Sequence, residues 1–128
     1  MMYLNKFNIH TEIIPEKQNN GMLHDRITDV VKSRRISILH CRSYHATEIG
    51  LLVKNASDVK IIFDVRGLFP EEQKLIMHEQ KYAPDRIEVA YRNLKSLESD
   101  LINGSDKVVI LNRNFKAVSY THLTLPTN

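Results

Sequence analysis

Hydrophobic and polar positions along the chain predict strands and helices that alternate. Apolar, β-branched runs typical of buried strands occur at 36–41, 59–64 and 107–111. Between them, apolar residues recur every three or four positions, which is the spacing of amphipathic helices. These helices are predicted from about residue 22, at 44–55, from 70 to about 79, and from about 84 to 104. A shorter alternating pattern at 9–14 predicts a further strand near a sheet edge.

Every connection between the predicted strands is long enough to hold a helix, and no hairpin signal interrupts the order. Strands joined in this way pair in parallel, and helices then cover the sheet. The fold class is therefore predicted to be α/β, a doubly wound (Rossmann-like), mostly parallel sheet with helices on both faces. The expected core positions are Ile38, Ile49, Leu52, Ile61, Phe63, Leu94, Leu97, Val109 and Leu111.

Three helix ends carry recognisable signals. Ser43 is placed to cap the second helix, because its hydroxyl can accept a hydrogen bond from a free backbone N–H group. Pro70 opens the next helix, and Glu71 and Glu72 follow where a negative charge complements the helix dipole. Gly104 is predicted to end the last helix in the left-handed conformation.

Composition limits the function classes. The 128 residues are enough for one domain, the single cysteine Cys41 excludes an internal disulfide, and no apolar run approaches a membrane span. We expect a cytoplasmic protein, with contact at the inner membrane face left open because of the net charge of +3. The scattered Lys and Arg residues argue against a nucleic-acid partner. The histidines, His40 among them, show no metal-ligand spacing, and no metal or cofactor site is predicted.

The last twelve residues differ from the rest of the chain. Residues 117–128 contain no Asp, Glu, Lys or Arg, and the peptide SYTHLTLPTN resembles a translated sequencing adapter. The domain is therefore expected to span 1–116 and the rest to be a non-native tail. A genuine polar loop and strand is the alternative.

Polar residues follow the predicted strands where the chemistry of an open α/β sheet is usually found. The segment Arg42-Ser43-Tyr44-His45 follows one strand, and Asp64, Arg66 and Gly67 follow the next. The carboxyl ends of parallel strands meet at one edge, so these side chains are expected to share a crevice. Arginines beside a helix N-terminus suit phosphate or sugar hydroxyls. The competing interpretation is that Asp64 only pairs with Arg66 and that His45 is an ordinary first-turn residue.

Three blocks together carry a family resemblance: HCRSYHATEIGLLVK, KIIFDVRGLFPEE, and the segment YRNLKSLESDLINGSDKVVILN, which includes Glu98. In order and spacing, over about residues 36–112, they resemble the N-terminal domain of family 4 glycosyltransferases of the GT-B type. The resemblance implies a metal-independent, retaining transfer of a hexose from a nucleotide sugar, as in polysaccharide biosynthesis. It also implies a sugar or lipid-linked acceptor.

The resemblance places seven residues on the acceptor side of the interdomain cleft as substrate-binding: Arg42, Ser43, Tyr44, His45, Asp64, Arg66 and Gly67. No catalytic residue is assigned here, because in the family the donor is held by a C-terminal domain that this sequence does not contain. The family's first strand and Gly-rich loop have no counterpart either. The chain is therefore expected to be a partial GT-B N-terminal domain, and its activity alone is uncertain. The alternative is a stand-alone phosphate- or partner-binding module of flavodoxin or response-regulator type.

Overall fold

The computed structural model describes residues 20–111, which form four helices and three strands. The elements are α1 (Asn20–Ser33), β1 (Ile38–Arg42), α2 (Ser43–Asn55), β2 (Lys60–Asp64), α3 (Phe69–Glu79), α4 (Pro84–Gly104) and β3 (Lys107–Val109). All seven lie where the sequence pattern predicts them, with boundaries that differ by a few residues. The predicted strand at 9–14 and the predicted tail at 117–128 lie outside the described residues.

The three strands form one parallel sheet in the order β1-β2-β3. Leu39 is the register partner of Ile61, and Phe63 is the partner of Val108. The predicted parallel pairing of the first two strands is confirmed. Each strand pairs with the next one in sequence because a helical crossover returns the chain to the same end of the sheet.

The core lies on one face of the sheet and consists of two clusters. The residues of the first, beneath α1 and α2, are Val31, Cys41, Val53, Val59 and Ile61. The residues of the second, where β2 meets α2 and α4, are Tyr44, Phe63, Val65, Leu101 and Ile102. Phe69, the first residue of α3, packs against the second cluster, so all four helices contribute to this face.

The opposite face of the sheet is largely exposed, which corrects part of the predicted core. Ile38 and Val109 are 54% and 45% exposed, because they alternate with the residues that face the helices. Leu52 and Leu111 are exposed as well. The predicted burial of these four residues is therefore wrong. A second helical layer, which a doubly wound sheet requires, is not found within residues 20–111.

The remaining core predictions agree with the structure to different degrees. Ile49, Ile61 and Phe63 are buried, as predicted. Leu94 and Leu97 are half-buried, and Leu97 packs against the second cluster. The long helix α4 therefore uses the predicted stripe but presents part of it to solvent.

Two of the predicted helix ends are wrong. Ser43 is the first residue of α2 with φ 73°, and the N-cap is Arg42, without a side-chain capping bond. Instead, the Thr47 hydroxyl donates to the Ser43 carbonyl at 2.7 Å. Gly104 is the last residue of α4 and has no positive φ, so the left-handed ending does not occur there. Its carbonyl accepts a hydrogen bond from Lys54 Nζ at 3.2 Å.

Basic residues in the left-handed conformation end α1 and α3. At α1, Arg35 has φ 54°, its N–H donates to the carbonyl of Lys32, and the next N–H donates to that of Val31. At α3, Lys81 has φ 59°. Its N–H donates to the carbonyl of His78, and the next N–H donates to that of Met77. This is the Schellman arrangement, in which glycine is the usual residue at the left-handed position.

Candidate functional site

The candidate site is a cluster of polar side chains at the carboxyl ends of β1 and β2, which we call the Asp64 crevice. It comprises His40 and Arg42 from β1, Asp64 from the end of β2, and Arg66 from the following turn. Arg42 and Asp64 are register partners, and His40 lies two residues before Arg42 on the same face of the strand. On this face of the sheet, His40 and Arg42 are exposed, and so is Arg66 in the turn that follows.

Asp64 organises the crevice. Its side chain is 5% exposed, whereas those of His40 and Arg66 are 60% and 45% exposed. Its Oδ2 atom lies 2.8 Å from His40 Nε2 and 2.9 Å from Arg66 Nη2. A buried carboxylate thus holds two nitrogen-bearing groups at the surface, which limits the positions that they can adopt.

The electrostatics of the crevice favour an anion. The hydrogen bond from His40 and the charge of Arg66 hold the pKa of Asp64 below its ordinary value, against the opposing effect of burial. Asp64 is therefore charged at neutral pH, and it offsets one of the two arginine charges nearby. Arg42 is exposed and has no hydrogen-bond or ion-pair partner among residues 20–111. Within the described part of the chain, the crevice consequently presents the guanidinium group of Arg42 without a partner and that of Arg66 fixed in orientation by Asp64.

The first turn of α2 brings two further predicted residues to the rim. Ser43 and His45 are both exposed. His45 Nδ1 lies 3.9 Å from Glu48 Oε2, at the long limit of an ion pair. The positive φ of Ser43 makes the turn from β1 into α2 abrupt. As a result, the chain passes directly from the sheet edge into the helix, with Ser43 next to Arg42 in the chain and His45 in the same first turn.

Tyr44 lies in the core, unlike its neighbours. It is 4% exposed and packs edge-on against Phe63, with ring centroids 5.4 Å apart. Its hydroxyl donates to Glu98 Oε2 at 2.5 Å. Burial and the adjacent Glu98 carboxylate raise the pKa of Tyr44 well above its ordinary value. In this structure Tyr44 anchors the start of α2, and its hydroxyl is already occupied.

A buried polar network continues from Glu98 to α3. Lys95 Nζ donates to Glu98 Oε1 at 2.7 Å and to Glu71 Oε1 at 3.2 Å, and Glu71 also accepts from the Tyr91 hydroxyl at 3.1 Å. Burial alone would lower the pKa of Lys95, but the bonds and charges of the two glutamates raise it overall. Glu71 Oε2 is buried without a hydrogen-bond partner among the described residues. The network links α2, α3 and α4 behind the crevice.

Gly67 lies in the turn between β2 and α3. A Cβ atom there would lie 2.8 Å from Glu72 Oε1, the far end of a flexible side chain. Because that side chain can move, the turn does not strictly require glycine. The proximity places the predicted site residue Gly67 next to the first turn of α3.

Sequence reasoning identified the arginines and Asp64 but missed His40, which it considered only as a metal ligand that lacks the required spacing. The signal was available: His40 and Arg42 are two residues apart on a strand, so they share a face. The predicted pairing of Asp64 with Arg66 is present. The network of Glu71, Lys95 and Glu98 could not be predicted from the residues that follow the strands, because its members come from the faces of two helices.

Comparisons with known proteins assign no family. No protein-family model matches the chain, and searches of curated proteins and of solved structures also find no match. Within residues 20–111, no helix has both the length and the apolar composition needed to cross a bilayer.

Proposed function

We propose that the Asp64 crevice binds the acceptor of a glycosyl transfer reaction. On this proposal the chain is the acceptor-side part of a retaining glycosyltransferase of GT-B type, whose donor nucleotide sugar is held by a separate C-terminal domain. The observation that carries the proposal is the pairing of Arg66 with buried Asp64, next to Arg42, which has no partner among residues 20–111. A cytoplasmic location, with the acceptor reached at the inner membrane face, belongs to the same proposal.

The chemistry of the crevice supports an acceptor that carries a phosphate or several hydroxyl groups. A guanidinium group whose orientation is fixed can form parallel hydrogen bonds to two oxygens of a ligand. His40 and His45 add ring nitrogens that can donate or accept, which suits sugar hydroxyls. The order of the sequence blocks along a parallel α/β sheet also agrees with the resemblance to family 4 glycosyltransferases.

Binding can be tested on the chain itself. The labelled protein would be titrated with geranyl phosphate, glucose 6-phosphate and methyl glucoside, and the amide signals of residues 40–45 and 64–67 would be followed by NMR. We expect the two phosphates to shift these signals more strongly than the glucoside. Arg66→Ala should weaken phosphate binding by about ten- to a hundredfold, since a charge-assisted hydrogen bond contributes about 1.5–3 kcal/mol. Arg66→Lys should restore part of the loss.

A matched control separates binding from stability. Arg92→Ala removes an exposed arginine of α4 that pairs with Glu88, and it should leave binding unchanged. If Arg66→Ala lowers the melting temperature but binds phosphate as well as the wild type, Arg66 only holds the turn through Asp64 and the binding role is refuted.

Transfer itself can be measured in an enzyme that joins this chain to a donor-binding domain. There, Arg66→Ala should lower kcat/KM by about ten- to a hundredfold. Phosphate binding by the chain without any transfer by the joined enzyme would instead favour the stand-alone binding module.

A further inference from the structure

A cavity that is broadly open to solvent lies at the amino-terminal edge of the sheet, the edge opposite the Asp64 crevice. Its volume is about 610 Å³, and it is formed where α1 and α2 end and where β1 and β2 begin. Cavities that hold small molecules typically measure about 300–1,000 Å³. The space is therefore large enough for a ligand of that class, and it does not overlap the crevice already described.

The walls of this cavity combine an apolar floor with charged side chains. Val31 and Val59 form part of the floor and are 4% and 2% exposed. Lys32, Arg35 and Asp58 line the rim, and none of the three side chains has a hydrogen-bond or ion-pair partner among the described residues. Two cations without a partner in the described part of the chain thus line the same cavity, together with apolar surface and one carboxylate.

The backbone of Arg35 provides an independent observation. Arg35 holds φ 54° at the left-handed end of α1, where a glycine would be free of steric strain. The residue at this position therefore carries its side chain at a conformational cost. A cost of this kind is offset by what the side chain does, either at the end of α1 or in the cavity.

We propose that this cavity is a second ligand site, for a small molecule that joins a phosphate group to a flat or apolar body. Arg35 and Lys32 would hold the phosphate, because a guanidinium fork and an ammonium group are the usual protein partners of that anion. Asp58 and Asn55 line the same cavity and would accept hydrogen bonds from hydroxyl or amino groups of the body. The body itself would lie against Ile36 and Ala56, the apolar lining residues that are more exposed than Val31 and Val59.

The competing explanation is that Arg35 acts only at the end of α1 and binds no ligand. A cation at a helix C-terminus is favourable without any ligand, because it complements the helix dipole. Lys81 ends α3 with φ 59° and the same pair of backbone bonds, but it does not line the cavity. Lys81 is therefore a matched control for the helix-end effect of Arg35.

The test uses the full chain and three probes at fixed ionic strength: adenosine 5′-monophosphate, adenosine and inorganic phosphate. Binding would be measured by calorimetry, and its place by NMR shifts of residues 31–37 and 55–59. We expect the nucleotide to bind at these residues more tightly than either of its parts. If adenosine binds saturably and as tightly as the nucleotide, the proposed contact of the phosphate with Arg35 and Lys32 is overturned. If inorganic phosphate binds as tightly as the nucleotide, the proposed contact of the apolar body with the cavity is overturned. Failure of the nucleotide to bind at these residues would overturn the site.

Two glycine variants then separate binding from folding. Arg35→Gly relieves the strained backbone, so it should raise the melting temperature by a few degrees and weaken nucleotide binding by at least about tenfold. Lys81→Gly should raise the melting temperature in the same way and leave binding unchanged. Equal nucleotide affinity in both variants would overturn the proposal, since Arg35 would then act only at the helix end.

Discussion

At the scale of single residues, Asp64 combines burial with two bonds to nitrogen-bearing side chains. His40 and Arg66 both contact the same carboxylate oxygen, so the position of each depends on the charge of Asp64. The sequence reveals the Asp64–Arg66 pair because the two residues are close along the chain. It does not reveal the bond to His40, which depends on the register between β1 and β2.

The lowered pKa of Asp64 predicts a pH dependence of stability. A carboxyl group whose folded-state pKa is depressed stabilises the fold above its unfolded-state value of about 4, and this contribution is lost as the pH falls through the folded-state pKa. Asp64→Asn should therefore melt below the wild type at neutral pH. The gap between the two melting temperatures should shrink as the pH falls below about 4.

Thermal melts between neutral and acidic pH would check this dependence. Asp100→Asn provides the control, since Asp100 is exposed and has no partner among the described residues. A gap between wild type and Asp64→Asn that stays constant into acid would show that the charge of Asp64 does not stabilise the fold.

At the scale of elements, the close approach of α2 to β1 depends on Gly50. A Cβ atom at this position would lie 2.5 Å from the Cys41 Sγ atom in the core. Alanine favours a helix by about 1 kcal/mol over glycine, but overpacking a core costs about 1–3 kcal/mol. Gly50→Ala should therefore be destabilising overall in urea unfolding.

A second substitution identifies the cause of that loss. Cys41→Ala removes the sulfur atom, so the double variant with Gly50→Ala should regain part of the stability. Gly104→Ala is the control, because its Cβ atom would meet the flexible Leu51 side chain at 3.0 Å. No regain in the double variant would mean that α2 does not pack against Cys41 as described.

The network behind the crevice joins three helices and gives another prediction. Lys95→Met would leave Glu98, which is 1% exposed, without its cation, and removing one partner of a buried ion pair costs about 3–5 kcal/mol. Adding Glu98→Gln should recover part of this loss. Arg92→Met breaks an exposed pair with Glu88 and should cost less than about 1 kcal/mol. Equal urea midpoints for Lys95→Met and Arg92→Met would contradict the buried network.

The elements themselves were predictable because local patterns encode them. The spacing of apolar residues identifies α4, and Ala83–Pro84 marks its start. The ends were harder: Ser43 has the side chain of a helix cap, yet it adopts a positive φ inside the first turn. Packing of Tyr44 against Phe63 and Phe69 competes with capping at this point, and such tertiary contacts are not visible in a local pattern.

At the scale of the whole molecule, the described sheet has one covered and one open face. The alternating pattern predicted which residues of a strand share a face, but it could not show which face the helices would cover. β2 has an apolar residue on both faces, Ile61 on one and Ile62 on the other, so it suggested burial on both. The exposure of Ile38 shows that burial on the second face is incomplete.

Matched substitutions on the two faces test this description directly. Ile61→Thr replaces the ethyl branch of a fully buried side chain by a hydroxyl group, so it should cost about 2–4 kcal/mol. Ile38→Thr and Val109→Thr act on the open face and should each change the free energy of unfolding by less than about 0.5 kcal/mol. Urea unfolding of the three variants gives the comparison. If Ile38→Thr is as costly as Ile61→Thr, the second face is covered in solution and the doubly wound arrangement is correct.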